Sequence, residues 1–374
     1  MADNTSRRTF IVAAGTGMVA TLSGCLGDDL DENGGGGGSG GDDADVEEFD
    51  DAEVGAAFVF DGRIGDNGWS AAHERSRQII DEENDWLQTA MSENVSEVDA
   101  PQIMAEYVRQ EYDIIFTTSV TFQDTTLEAA EQHTDTYFSN GNGFNMADNM
   151  GRYNAKVYEA RYLAGVAAGL VTETDRIGHL GGFPVPLAYR DINAFTLGAR
   201  SVNPDVRTEV RWMNSWYDPP GAREAVQSLL DNDVDAVASH LDSPAGPRAA
   251  SDGGAWSSGW ASSMADQVEE KYLTGPVIHW ENYYGPIVEE IYETGEWDPG
   301  FVWGDMADGV VVLDEYGDEL PDDVIDEVEA AKEGILDGSL NVWEGSQFED
   351  ADEDFIESQM NEFVDGVGRV EEED

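Results

Sequence analysis

Hydrophobic positions from residue 54 onward switch repeatedly between short continuous runs and helical spacing. Val54-Gly55-Ala56-Ala57-Phe58-Val59-Phe60 is a run of strand length, and the segment from about Ser70 to Asp81 is apolar-periodic, ending near Ile79 and Ile80. The alternation continues with a strand at Trp86–Ala90, a helix at Pro101–Gln110, a strand at Tyr112–Thr118, a helix at Thr125–Glu131 and a strand at Thr136–Ser139. After Asn140-Gly141-Asn142-Gly143 the pattern predicts a long helix from about Asn154 to Val171, bearing small residues Ala164, Gly165, Ala167, Ala168 and Gly169. A second series begins there, with strands at Arg176–Gly181, Arg207–Trp212, Val234–Ser239 and Gly275–Trp280 and helices at Tyr189–Ser201, Ala222–Asp231 and Met264–Lys271. A helix at Asn282–Glu296, a strand at Gly309–Leu313 and helices at Pro321–Gly338 and Phe355–Val367 follow. Such alternation predicts an α/β protein with parallel sheets covered by helices. Two series of similar size predict two Rossmann-like lobes joined by a hinge, with the strand C-termini facing each other across a cleft.

The boundaries read from the pattern are 51–150 for the first lobe, completed by about 281–305, and 151–280 for the second, completed by about 306–345. Residues 346–374 are read as a C-terminal helix and an acidic tail. Ahead of the lobes, residues 1–25 have a polar start with Arg7-Arg8, a short apolar and small-residue run from Ile11, and Leu22-Ser23-Gly24-Cys25. This resembles a twin-arginine export signal ending in a lipobox, which implies lipidation of Cys25 and a protein held on the extracytoplasmic face of the cell membrane. The run is too short to span a bilayer. Residues 26–50, with Gly34 to Gly38 and flanking acids, read as a flexible tether.

Composition changes the picture mainly through charge. Asp+Glu 79 against Lys+Arg 19 gives a formal net charge of −60, which excludes nucleic acid as a partner. The acids are spread along the whole chain, a distribution similar to proteins of halophilic archaea, where salt screens self-repulsion. With Cys25 as its one cysteine the chain can form neither an intrachain disulfide nor a cysteine-based zinc site.

The stretch between the first strand and first helix, Asp61-Gly62-Arg63-Ile64-Gly65-Asp66-Asn67-Gly68-Trp69, has the make-up of a ligand loop. Glycines allow close backbone approach, and a helix N-terminus offers unpaired N–H groups. No G-x-S-x-G elbow occurs, since the match at Gly37–Gly41 lies in the glycine-rich tether; the G-x-x-x-x-G-K-[ST] and H-E-x-x-H motifs are absent and no acid suited to a dinucleotide ribose follows at a strand end, so neither cofactor nor metal is expected. The five histidines are scattered in sequence and read as core or loop residues. Trp69, in a turn with little core to fill, can stack on a flat ring while Asp66 and Asn67 bond its edge. Asp242 in Ser239-His240-Leu241-Asp242, Phe183 in Gly182-Phe183-Pro184, and Trp280 stand at strand ends of the second series and are expected to line the same pocket.

With these residues assembled, the chain resembles the basic membrane protein family of ABC-transporter substrate-binding lipoproteins, a branch of the type I periplasmic-binding-protein fold. The resemblance rests on G-R-I-G-D-N-G-W-S-A-A-H at 62–73, G-R-Y-N-A-K-V-Y-E-A-R-Y-L-A-G-V-A-A-G at 151–169, G-F-P-V-P at 182–186, W-Y-D-P-P-G-A-R-E-A at 216–225, S-H-L-D-S-P-A at 239–245 and W-E-N-Y-Y at 280–284. It implies a binding protein, not an enzyme, that captures a purine base or nucleoside and hands it to ABC permease subunits. The ring would stack on Trp69, with Asp66, Asn67 and Asp242 as polar contacts. Trp280 falls near the hinge, where some relatives place a lysine, which leaves base and nucleoside both open. A ligand-sensing receptor subunit of the same fold, and a nucleoside-processing enzyme, are the alternatives.

Overall fold

The computed structural model describes residues 53–65 and 67–368. The export signal with Cys25, the tether, Asp66 and the acidic end of the chain lie outside the described residues.

In the first lobe, β1 (Val54–Val59) is buried at all six positions, as expected of a strand covered on both faces. It pairs in parallel with β2 (Leu87–Ser92) and β3 (Ile114–Thr117). Beyond β3 come β4 (Tyr137–Gly141) and β5 (Met150–Ala155), again parallel. Helices α1 (Trp69–Glu83), α2 (Ala100–Arg109) and α3 (Gln123–Gln132) connect the strands.

The second lobe opens with α4 (Tyr158–Val171), β6 (Arg176–Gly181), α5 (Pro186–Val202) and β7 (Arg207–Trp212). It continues through α6 (Pro219–Leu230), β8 (Ala236–Ser239), α7 (Ala245–Asp252) and β9 (Trp256–Ser258). The small residues of α4 have a packing cause. A Cβ on Gly165 would meet the Phe195 carbonyl oxygen at 2.2 Å, and one on Gly198 would meet the Tyr162 carbonyl oxygen at 1.9 Å. The backbones of α4 and α5 are thus in direct contact.

The chain passes between the lobes three times: after β5, after β10 (Pro276–Ile278) and after β11 (Phe301–Gly304). Between the last two passages α8 (Glu281–Thr294) packs on α1 and β1, and β11 then joins the edge of the first sheet beside β5. β12 (Val311–Leu313) pairs antiparallel with β10, α9 (Asp322–Leu336) packs on α4, and α10 (Glu353–Ser358) follows. A last short strand, β13 (Val367–Gly368), lies beside β7. The described sheets have the orders β11-β5-β4-β3-β1-β2 and β13-β7-β6-β8-β9, every pairing in them parallel.

Four expectations need correction. The first sheet runs on to Ala155, past the expected boundary at 150; β5 carries Arg152 and Asn154 and so lacks an apolar-strand signature. The helix expected at Met264–Lys271 is a 3-10 turn, Ala265–Gln267, with the Asp314 carboxylate taking the N–H groups of Met264 and Ala265. No helix is expected where α7 stands; its Pro247 lies in the first turn, where the missing N–H costs nothing. The helix expected over Phe355–Val367 stops at Ser358, and Val367 pairs with Thr208 in the second sheet.

Candidate ligand-binding cleft

The loop after β1 turns into α1 at Gly68, whose φ of 93° lies in the left-handed region that glycine tolerates. No described side chain of the loop caps α1. Its first N–H groups are instead met from the second lobe. Trp69 N–H donates to Asp242 Oδ1 at 2.8 Å, and Gly68 N–H donates to Ser262 Oγ at 2.8 Å. Asn67 Nδ2 donates to the Ser263 carbonyl at 2.8 Å. Three consecutive residues of one lobe are therefore latched to the other, and the cleft is closed. A carboxylate at a helix N-terminus is favourably placed against the unpaired N–H groups and the helix dipole.

Trp69 is partly buried and fixed in orientation. Its indole N–H donates to the Thr118 carbonyl at the end of β3, 2.8 Å away. The ring stands edge-on to His73, with centroids 4.7 Å apart, and to Trp280, 5.5 Å apart. His73 and Trp280 lie flat on each other at 4.8 Å and 3°. Trp280 is 0% exposed, so in this closed form it backs Trp69 instead of offering a free wall. Burial pushes His73 well below the usual histidine range, which keeps the imidazole neutral.

Next to Asp242 the second lobe carries an aromatic row. Phe183 meets Trp216 at 5.3 Å, Trp216 meets His240 at 5.5 Å, and His240 stacks on Trp260 at 3.6 Å. Asp242 belongs to the same patch: its N–H donates to the Trp216 carbonyl at 2.9 Å. Burial pushes the Asp242 carboxyl up to about 7, the Trp69 N–H bond opposes the rise, and the nearby Asp61 charge adds to it.

Three buried polar atoms beside the latch have no partner among the described residues: Asn67 Oδ1, His73 Nε2 and Trp280 Nε1. An unpaired buried polar group costs on the order of 1–3 kcal/mol, so atoms of this kind are expected where a ligand completes the set. An open cavity of about 490 Å³ adjoins Asn67 and Asp242, lined also by Tyr217, Arg223 and Arg248.

The structure thus joins Trp69 directly to Asp242, sets Asn67 on the cavity that Asp242 also lines, and places Phe183 in the row that continues from Asp242. Sequence reasoning passed over Thr118, Trp216, His240, Trp260, Ser262 and Ser263 as site residues. Trp216 and His240 lie inside motifs that were already informative, W-Y-D-P-P and S-H-L-D. Ser262 and Ser263 carry no such signal, since their partners stand 194 and 196 positions away. The scattered histidines also converge, for His179 and His240 both bond Asp191.

Two lobes of parallel sheet, three crossovers and a cleft latched by strand-end loops are the arrangement of a solute-binding protein. The chain matches the family model described as Bmp, ABC transporter substrate-binding protein PnrA-like, over residues 53–344. The protein belongs to this family. It is 45% identical over 314 residues to a putative ABC transporter glucose-binding protein of Haloferax volcanii, covering 84% of this chain and 80% of that one. It is 36% identical over 290 residues to a purine-binding protein of Brucella abortus, covering 77% of this chain and 82% of that one. Among solved structures, an ABC transporter solute-binding protein of Conexibacter woesei superposes with a TM-score of 0.66 at 19% identity, covering 77% of this chain and 98% of that one. These neighbours share the type I periplasmic-binding fold. Among the described residues no helix is long and apolar enough to cross a membrane.

Proposed function

We propose that this member of the family captures a purine base or nucleoside outside the cytoplasm and delivers it to an ABC permease, tethered to the membrane through lipidated Cys25. One observation carries the ligand class: an indole held rigidly by Thr118, His73 and Trp280, with Asn67 Oδ1 unpaired beside it and Asp242 arriving from the opposite lobe. A flat heteroaromatic ring can stack on Trp69 while its edge meets an acceptor at Asn67 and a carboxyl at Asp242. Closure excludes water and strengthens those polar contacts. No chemistry on the ligand is proposed, and Asp66 is expected to add a contact from the same loop. The relative described as purine-binding supports this reading.

A sugar is the second reading, favoured by the relative described as glucose-binding. Aromatic faces and a carboxylate also suit a pyranose. Calorimetric titration with adenine, guanine, adenosine, guanosine and D-glucose in high salt separates the two. Binding of a purine and not of glucose is expected; glucose binding with none of the four purines sinks the purine assignment.

A further inference from the structure

Behind the second-lobe aromatic row lies a buried ionic cluster that the latch does not use. Arg161 on α4 donates Nε to Asp191 Oδ1 at 2.9 Å, Nη1 to Ser258 Oγ at 2.8 Å and Nη2 to the Ser239 carbonyl at 3.0 Å. The second oxygen of Asp191, on α5, takes His179 Nε2 at 2.9 Å and His240 Nδ1 at 3.1 Å. All four side chains are buried. Burial would raise the Asp191 carboxyl, but the Arg161 charge and the two imidazoles hold it well below the usual carboxylate range.

The tautomers follow from chemistry. An ionised carboxylate only accepts, so both histidines must donate to it. His240 therefore carries its proton on Nδ1. Arg161 already balances the Asp191 charge, and burial lowers the pKa of His240, so the ring is neutral. Its Nε2 is then a bare lone pair on the side of the ring turned from Asp191. The ring cannot swing, since Trp260 covers one face at 3.6 Å and Trp216 leans on it at 5.5 Å. His240 follows the C-terminal end of β8 and stands two residues before Asp242, on the lobe edge that meets Asn67, Gly68 and Trp69. His179 has the same partner but sits within β6, and its other nitrogen, Nδ1, is sealed without a partner, so its part is structural.

We propose that His240 Nε2 is a ligand contact: a fixed acceptor for an N–H or O–H of the bound molecule, with Asp191 as the positioning residue that sets its tautomer. The inference rests on the proposed cleft ligand and adds a selection rule to it. Ligands with a donor at this position are retained, and analogues methylated there leave a buried acceptor unpaired and are rejected.

The test combines binding with ring-nitrogen NMR on the whole protein, using the four purines and D-glucose as probes. In the free protein, long-range ¹H–¹⁵N spectra should show His240 as the Nδ1–H tautomer, and the Nε2 resonance should move upfield with whichever probe binds. His240→Phe keeps the ring between Trp216 and Trp260 and should lose at least tenfold in affinity for that probe. His240→Gln, whose amide oxygen reaches the Nε2 position, should recover part of the loss. An Nε2–H tautomer in the free protein overturns the proposal whatever the ligand, as does wild-type affinity in His240→Phe. If glucose binds and purines do not, the purine assignment falls while the same variants still judge His240.

Discussion

Trp69 N–H and Asp242 Oδ1, 173 positions apart in sequence, are joined at 2.8 Å, so a carboxylate of one lobe caps the first helix of the other. Closure and helix capping are the same contact. The free energy of the helix end is thereby tied to the position of the lobes, because opening the cleft leaves the α1 N-terminus to water.

Gly68 makes that approach possible. A Cβ there would lie 2.6 Å from the Asp242 Cα, and its φ of 93° is one that side chains rarely adopt. Gly68→Ala should hold the lobes apart. Small-angle scattering should report a larger radius of gyration than wild type, and ligand affinity should fall at least tenfold, about 1.4 kcal/mol. An unchanged radius would mean that the latch is not what closes the cleft.

Trp69 offers a face for a planar ligand. Trp69→Ala should weaken binding by about 1–3 kcal/mol, the range found for a base stacked on an aromatic. Trp69→Phe should cost less. Calorimetry of both variants checks this, and wild-type affinity in Trp69→Ala would return the indole to a purely structural part.

Asp242 makes closure depend on pH. Its carboxyl, ordinarily near 3.8, stands at about 7 when buried in the closed cleft. Between those values the closed form binds more protons than the open one, so closing takes up a proton. Closure should therefore gain as pH falls from about 7 to 4, and the cost of burying the ionised carboxylate is fully present above 7. Scattering of the ligand-free protein across that range should show compaction toward lower pH, and Asp242→Asn should remove the dependence.

The Arg161–Asp191 pair predicts a stability effect far larger than a surface pair. Arg161→Met would leave Asp191 with two neutral imidazoles and no guanidinium bonded to it, and removing one partner of a buried pair costs about 3–5 kcal/mol. Urea unfolding should show the loss. Arg109, which pairs with Glu106 on an exposed helix face, should tolerate alanine within ~0.5 kcal/mol.

The sequence by itself determined the strand and helix alternation, and with it the α/β class and two-lobed plan. Continuous apolar runs such as Val54–Phe60 must be buried on both faces, and helical spacing must cover them. It also determined that a loop separates β1 from α1, because Gly62, Gly65 and Gly68 interrupt both the strand run and the helical spacing. Edge strands β9, β11 and β13 escaped it, as did β5 beside β11, since a short strand at the margin of a sheet needs no apolar signature of its own. Only the tertiary structure decided which residues of the second lobe meet the loop. Ser262, Ser263 and Asp242 reach it through the third dimension, and a hydrogen bond between groups that far apart leaves no local pattern. The same holds for the histidines. Their scatter along the chain concealed that His179 and His240 share one carboxylate, because a charge buried at Asp191 requires donors from whichever strands the fold brings beside it.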